Sequence, residues 1–325
     1  MPRHWSIGAW LMVIGVLLGG IGGVGPYLLG QTSQRSLFSA LPLLISTSVV
    51  GAGGLIFVIG MVLYVVVPAL DRNRARRNYG SHLTVLSSFV LAVLISIVLQ
   101  LIFLLAFALT EPAGAGGGII GGIAQGSRQM LGPLGLVAGI ASLELSLLAI
   151  LWVRIIRPGV ITWSRMGLTG EHLGRRILLG LATGIVVFVV AAIVGLAMQR
   201  LGFEQTQMEM FEPIKGGSPI EFVLVLLTGG LLAGFAEEAF FRGYVFQAYW
   251  EQKGPWQAYL FSALVFGAVH LFSLDLRAFL PTFVAIFTIG LILAYVYNKT
   301  HSIVPTMIGH AINNSIAFAA LYYAL

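Results

Sequence analysis

The residues best suited to chemistry in this 325-residue chain are acids, an arginine, histidines and an amide that interrupt apolar stretches. The first group is Glu237, Glu238 and Arg242, which lies inside an apolar run from Phe222 to Trp250. A charged side chain at the centre of a membrane helix costs about 2.5–3.5 kcal/mol on insertion scales. Three such groups in one run therefore indicate a functional site.

The spacing along the helix predicts different roles for these three residues. Glu238 precedes Arg242 by four positions, which is the favoured order for an ion pair on one helix face. Glu237 lies about 100° further round the helix and has no cation nearby in sequence. The spacing predicts a neutralising Glu238–Arg242 pair and a free carboxylate at Glu237. The alternative is that all three only join helices, which the second, unpaired glutamate disfavours.

Two later apolar stretches also carry polar groups. Phe266 lies four residues before His270, and His310 lies four before Asn314, so each pair shares a helix face. A lone membrane histidine is more often a packing group than a catalyst. Two of them, together with Glu237 and Asn314, favour a shared site.

The chemistry that these groups suit is the activation of water. A carboxylate can take a proton from water while a histidine orients that water or protonates a leaving amine. Asn314 and one imidazole can stabilise the oxyanion of a tetrahedral intermediate. There is no serine nucleophile elbow and no cysteine for an acyl-enzyme route.

The composition is that of a polytopic membrane protein. The chain is 58% hydrophobic and 9% charged, against about 25% charged residues in soluble domains. Nine apolar stretches are long enough to cross the bilayer, so we predict an all-α fold of about nine transmembrane helices with a catalytic bundle formed by the last four. These stretches lie near Ile7–Leu29, Leu41–Leu70, Leu83–Thr110, Leu134–Ile156, Ile177–Met198, Phe222–Trp250, Gln257–Phe272, Phe279–Tyr297 and Ile303–Tyr323.

Arginine placement predicts the orientation. Arginines cluster in the connections around residues 72–77 and 154–176, and short cytoplasmic loops are enriched in basic residues. We therefore expect a multi-pass protein of the cell membrane with a cytoplasmic N-terminus and an external C-terminus. We expect the first apolar run to stay as a helix, because it lacks a clear cleavage site. The net charge of +6 fits cytoplasmic loops, and no nucleic-acid partner is predicted.

Glu144 also interrupts an apolar stretch, the fourth. We expect it to make an ordinary hydrogen bond between helices. No internal repeat is evident, which disfavours a transporter built from inverted repeats.

The chain resembles the CPBP family, which comprises type II CAAX-prenyl endopeptidases and bacteriocin-processing or immunity proteins. The resemblance covers residues 221–325 and implies a protease domain there, with transmembrane helices of unassigned role over residues 1–200. It rests on three motifs in this order: Glu237-Glu238-x-x-x-Arg242, Phe266-x-x-x-His270 and His310-x-x-x-Asn314. The roles that it implies are a catalytic carboxylate (Glu237), its supporting pair (Glu238 and Arg242), a water-positioning imidazole (His270) and groups facing the oxyanion (His310 and Asn314).

The resemblance implies an intramembrane endopeptidase that acts on a peptide or membrane-protein substrate, prenylated or not. Two alternatives stay open, namely a non-catalytic scaffold or immunity protein of the same fold and a proton-coupled transporter with an acid and histidine relay. Two histidines and a glutamate also match a zinc ligand set, but no His-Glu-x-x-His pair is present. We favour a mechanism without a metal or other cofactor, with zinc as the alternative.

Counting residues along the predicted helices does not place these side chains at one depth in the membrane. At about 1.5 Å per residue, Glu237 lies near the middle of its apolar run, and His310 nearer the cytoplasmic end. His270 lies nearer the external end of its own run. A tilt, a shifted helix start or a re-entrant segment is needed to bring them together.

Overall fold

The computed structural model describes residues 79–109, 132–203, 207–270 and 276–323, and a few positions between 7 and 63. Contacts divide the chain into two compact units, Met1–Asn78 and Tyr79–Leu325, and every feature discussed below lies in the second. Most of the predicted helices near Ile7–Leu29 and Leu41–Leu70 falls outside the described residues.

The structure describes seven helices in the second unit, and the described residues of this unit contain no strand, so the all-α prediction is confirmed. A short 3₁₀ segment, Gln207–Gly216, precedes the fourth helix. The helices are α1 (His82–Leu109), α2 (Pro133–Ile156), α3 (Leu173–Arg200), α4 (Pro219–Lys253), α5 (Pro255–Val269), α6 (Leu276–Thr300) and α7 (Ile303–Tyr323).

Five of these helices are long and apolar enough to cross a membrane, namely α1, α2, α3, α4 and the Phe279–Thr300 part of α6. The chain is therefore a multi-pass membrane protein. Helix α5 has 15 residues and is shorter than the predicted crossing Gln257–Phe272. Its length of about 22 Å is less than the roughly 30 Å of a hydrocarbon core. Helix α7 has 21 residues, but polar residues occupy its middle.

Helix α4 is the central element. It contains two π-helical stretches, Leu226–Leu232 and Ala239–Phe246, on either side of a regular segment, Ala233–Glu238. Residues 236–249 are buried without a break, so this part of α4 is enclosed on all sides. π-helical turns occur often at functional sites, and here they flank both glutamates.

Strong local signals set the ends of α4. Ser218 accepts a hydrogen bond from the Glu221 amide, the Glu221 carboxylate accepts one from the Ser218 amide, and Pro219 occupies the first turn. This capping box with proline at the start specifies a helix N-terminus. At the other end, Gly254 has a φ of 98°, which a residue with a side chain rarely adopts. Pro255 then begins α5.

Glycines allow α7 to lie very close to α3. A Cβ atom at Gly180 would stand 2.6 Å from the Ile308 Cβ, and one at Gly184 would stand 2.7 Å from the Ile312 Cβ. Small residues four apart are a common means of close helix packing in membranes. The spacing of Gly180 and Gly184 therefore determines how closely α7 approaches.

We expect Gly184→Ala to destabilise the protein by about 1–3 kcal/mol, the usual cost of overpacking. Gly174→Ala on the same helix is the matched control, because nothing lies within 4 Å of its added Cβ. It should leave the melting temperature in detergent unchanged or slightly higher. Equal melting temperatures for the two variants would contradict close packing of α3 on α7.

Candidate active site

The side chain of Glu237 faces a cavity of about 790 Å³, and only 7% of the residue is exposed. His270, His310 and Asn314 line the same cavity. The structure thus brings together the acid, both imidazoles and the amide. The cavity extends beyond the last four helices, because residues of α1, α2 and α3 also line it.

Close packing of α4 on α7 places His310 beside the glutamates. A Cβ atom at Gly230 would stand 2.8 Å from the Ser315 hydroxyl, and one at Gly234 would stand 2.9 Å from the Met307 carbonyl oxygen. Gly234 lies one turn before Glu238. The absence of side chains at these two glycines lets α7 approach α4 at the level of the site.

The predicted ion pair between Glu238 and Arg242 is present and fully buried. The Arg242 Nη1 atom donates to Glu238 Oε1 at 2.8 Å, and both side chains have 0% exposure. Arg242 Nη2 also donates to the carbonyl of Gly290 on α6 at 3.3 Å. The guanidinium group lies 4.2 Å from the centroid of the Phe266 ring, a cation–π distance. The pair therefore connects α4 with α5 and α6.

His310 is oriented by the same glutamate. Its Nδ1 lies 3.1 Å from Glu238 Oε1, so this nitrogen carries a proton and donates to the carboxylate. Its Nε2 lies 3.9 Å from Glu237 Oε2. Glu238 thus holds one face of the imidazole and directs the other toward Glu237.

His270 is oriented by its own helix. It follows the last residue of α5, and its Nδ1 lies 2.7 Å from the Phe266 carbonyl oxygen. A carbonyl only accepts hydrogen bonds, so Nδ1 must carry the proton. In the neutral ring Nε2 is then an acceptor, and it lies 3.6 Å from Glu237 Oε2.

The early end of α5 resolves the depth mismatch that the sequence predicts. The helix ends at Val269 and is too short to cross the hydrocarbon core, so its C-terminal end can lie at the depth of Glu237.

The Phe266 ring packs between the two imidazoles, with centroid distances of 4.9 Å to His270 and 5.8 Å to His310.

Asn314 lines the cavity one turn after His310. Its amide nitrogen donates to the Gly229 carbonyl at 2.9 Å, and its oxygen accepts from Asn313 at 3.1 Å. An amide nitrogen has two N–H groups. One of them holds Asn314 against α4, and the second can serve a ligand.

Glu144 is the residue whose part the sequence-based interpretation missed. It lines the same cavity as Glu237 with 2% exposure, on the helix that packs against the Ala233–Glu238 segment of α4. Glu144 Oε2 finds no donor among the described residues. The expectation that Glu144 makes a hydrogen bond between helices stays a prediction, because the described contacts show only that its Oε2 atom lacks a donor. The signal in the sequence was the acid in an apolar helix.

The predicted zinc alternative has a weak geometric basis. In the part of the chain that the structure describes, no three His, Asp or Glu side chains form a group that could hold a metal ion.

The gap between Glu237 and the imidazoles suits one water molecule. A polar separation beyond 3.5 Å is a common position for a bridging water. The Glu237 carboxylate and neutral His270 both present acceptors to this gap. One water can donate to both, which leaves its oxygen lone pair directed at a substrate.

Comparison with known proteins finds a family match in the C-terminal part of the chain. Residues 219–316 match the family model described as Type II CAAX prenyl endopeptidase Rce1-like. No curated protein matches the chain, and no solved structure matches it. The matched segment contains all three motifs and begins at the first residue of α4. The match over residues 219–316 supports the resemblance of this part of the chain to CAAX-type membrane proteases.

Proposed function

We propose that this protein is an intramembrane endopeptidase that hydrolyses a peptide bond with water activated by Glu237. The observation that carries the proposal is the position of Glu237 Oε2, 3.6 Å from His270 Nε2 and 3.9 Å from His310 Nε2. A general base needs to lie within hydrogen-bond reach of its proton or one water away. The substrate is a peptide or a membrane protein, and we assign the protease domain to residues 221–325.

In the proposed reaction, a water between Glu237 and His270 attacks the carbonyl carbon of the scissile bond. One water proton passes to Glu237 as the new C–O bond forms. The same proton then passes to the amide nitrogen, the C–N bond breaks, and a carboxylic acid and an amine leave. Each step keeps its atoms and charges in balance without a further reactant.

The oxyanion of the tetrahedral intermediate needs donors that are already in place. We assign this part to His310 and Asn314. Glu238 holds the His310 ring through Nδ1 at 3.1 Å, and the proposed mechanism uses a ring that carries a proton on both nitrogens. Its Nε2–H and the second N–H of Asn314 are the two donors. Arg242 balances the charge of Glu238 behind them.

The test is cleavage of membrane-anchored peptides, prenylated and unprenylated, by the purified full-length protein, with Glu237→Gln as the inactive variant. A second arm measures bound metal and activity before and after chelation. Cleavage that depends on Glu237 and survives chelation supports the proposal. Stoichiometric zinc that is lost together with activity would replace it with a zinc-bound water. No cleavage by the wild type would favour a non-catalytic scaffold or a transporter.

We also propose that the protein lies in the cell membrane with its N-terminus in the cytoplasm. The support is the clustering of arginines around residues 72–77 and around residues 154–176. Short cytoplasmic loops are enriched in basic residues. Reporter fusions after Arg77 and after Arg176 should both report the cytoplasm. An external signal at either position would contradict this orientation.

A further inference from the structure

Helix α2 adds a second carboxyl group to the site. Glu144 on α2 and Glu237 on α4 line the same cavity, at the place where these two helices pack together. Each has an Oε2 atom that is buried and receives no hydrogen bond from the described residues. Glu144 lies outside the family match, which begins at residue 219.

Two adjacent buried carboxylates cannot both be ionised without a large cost. The other titratable groups that line the cavity in its described part are His270 and His310. Behind them, Arg242 pairs with Glu238. The two imidazoles contact Glu237, Glu238 and Phe266. A proton held between the two acids is therefore the simplest way to satisfy both side chains.

We propose that Glu144 is a positioning residue of this site, whose neutral carboxyl donates a hydrogen bond to the Glu237 carboxylate. This bond holds Glu237 in the orientation that directs Oε2 toward the two imidazoles. It also assigns α2, which lies outside the predicted protease domain, a part in the reaction. The catalytic consequence rests on the proposed function, whereas the shared proton does not.

Two variants test whether Glu144 acts as a hydrogen-bond donor or only fills space. Glu144→Met keeps the approximate volume but has no donor, and Glu144→Gln keeps a donor but cannot ionise. We expect Glu144→Met to lower peptide cleavage about 100-fold, the cost of misplacing a reacting group by about 1 Å. Glu144→Gln should keep most of the activity. Neither variant should melt at a lower temperature, because each removes a buried acid that lacks a cationic partner.

Gln199→Met is the control for a change from a polar side chain to methionine. Gln199 is exposed on α3 and does not line the cavity. Its replacement should leave cleavage unchanged. Cleavage by Glu144→Met at the wild-type rate would overturn the proposal. So would equal losses in Glu144→Met and Glu144→Gln.

Infrared spectroscopy tests the proton without any need for activity. The wild-type protein, purified in a detergent without carbonyl groups, should show the C=O stretch of a protonated carboxylic acid that is missing in Glu144→Gln. A wild-type spectrum without this band would overturn the proposal. If the wild type cleaves no peptide, the proposed function fails, and the band still decides whether the two acids share a proton.

Discussion

Replacing Glu237 with Gln should lower peptide cleavage by about 10²–10⁴-fold, the usual contribution of a general base. Gln has the shape of Glu but cannot take a proton from water. The fold should remain intact because Glu237 makes no ion pair with lysine or arginine among the described residues. Initial rates of peptide cleavage and the melting temperature of the same sample measure both effects.

The matched control is Glu212→Gln, which removes a surface carboxylate whose side chain is 61% exposed. This variant should cleave peptide at the wild-type rate. A Glu237→Gln protein that is still active would remove Glu237 from the mechanism. A Glu237→Gln protein that is inactive and also unfolded would show that the residue is structural.

Replacing Arg242 with Met should destabilise the protein by about 3–5 kcal/mol, the typical cost of leaving one member of a buried ion pair without its partner. Glu238 would then be a buried carboxylate without its guanidinium. The cation–π contact with Phe266 and the hydrogen bond to the Gly290 carbonyl would be lost as well. Thermal unfolding in detergent measures the effect.

Two comparisons make this result specific to the buried pair. Arg165→Met removes the arginine of a surface pair with Glu251, whose side chains are 51% and 32% exposed. Exposed pairs contribute about 0–1 kcal/mol, so the melting temperature should barely change. The double variant Arg242→Met with Glu238→Gln should be more stable than Arg242→Met alone, because no unpaired charge remains. If Arg242→Met melts like Arg165→Met, the pair has no structural role.

The local sequence was sufficient to predict several features of the structure. The length of the apolar runs predicts five of the helices that are long enough to cross a membrane, because an isolated helix must cover the hydrocarbon core by itself. The spacing of Glu238 and Arg242 predicts their contact, because residues four apart lie on the same side of one helix. The capping box at Ser218 likewise depends only on neighbouring residues.

The meeting of Glu237 with His270 and His310 depended on tertiary structure. Counted along each apolar run, these residues lie at different depths in the membrane. The early end of α5 at Val269 removes this difference in depth. The approach of α7 is set by glycines on α3 and α4, whose effect depends on which helix lies opposite.

The difference between what the sequence predicts and what the tertiary structure decides is clearest at Glu144. In the sequence it is one acid in an apolar helix, and any polar group on another helix is a possible partner. Only the packing of α2 on α4 brings Glu144 into the same cavity as Glu237. The sequence by itself therefore determined the helices, the ion pair within α4 and the three motifs. The tertiary structure decided which polar groups share one cavity, because contacts between helices depend on tilt, end points and close packing that no local spacing encodes.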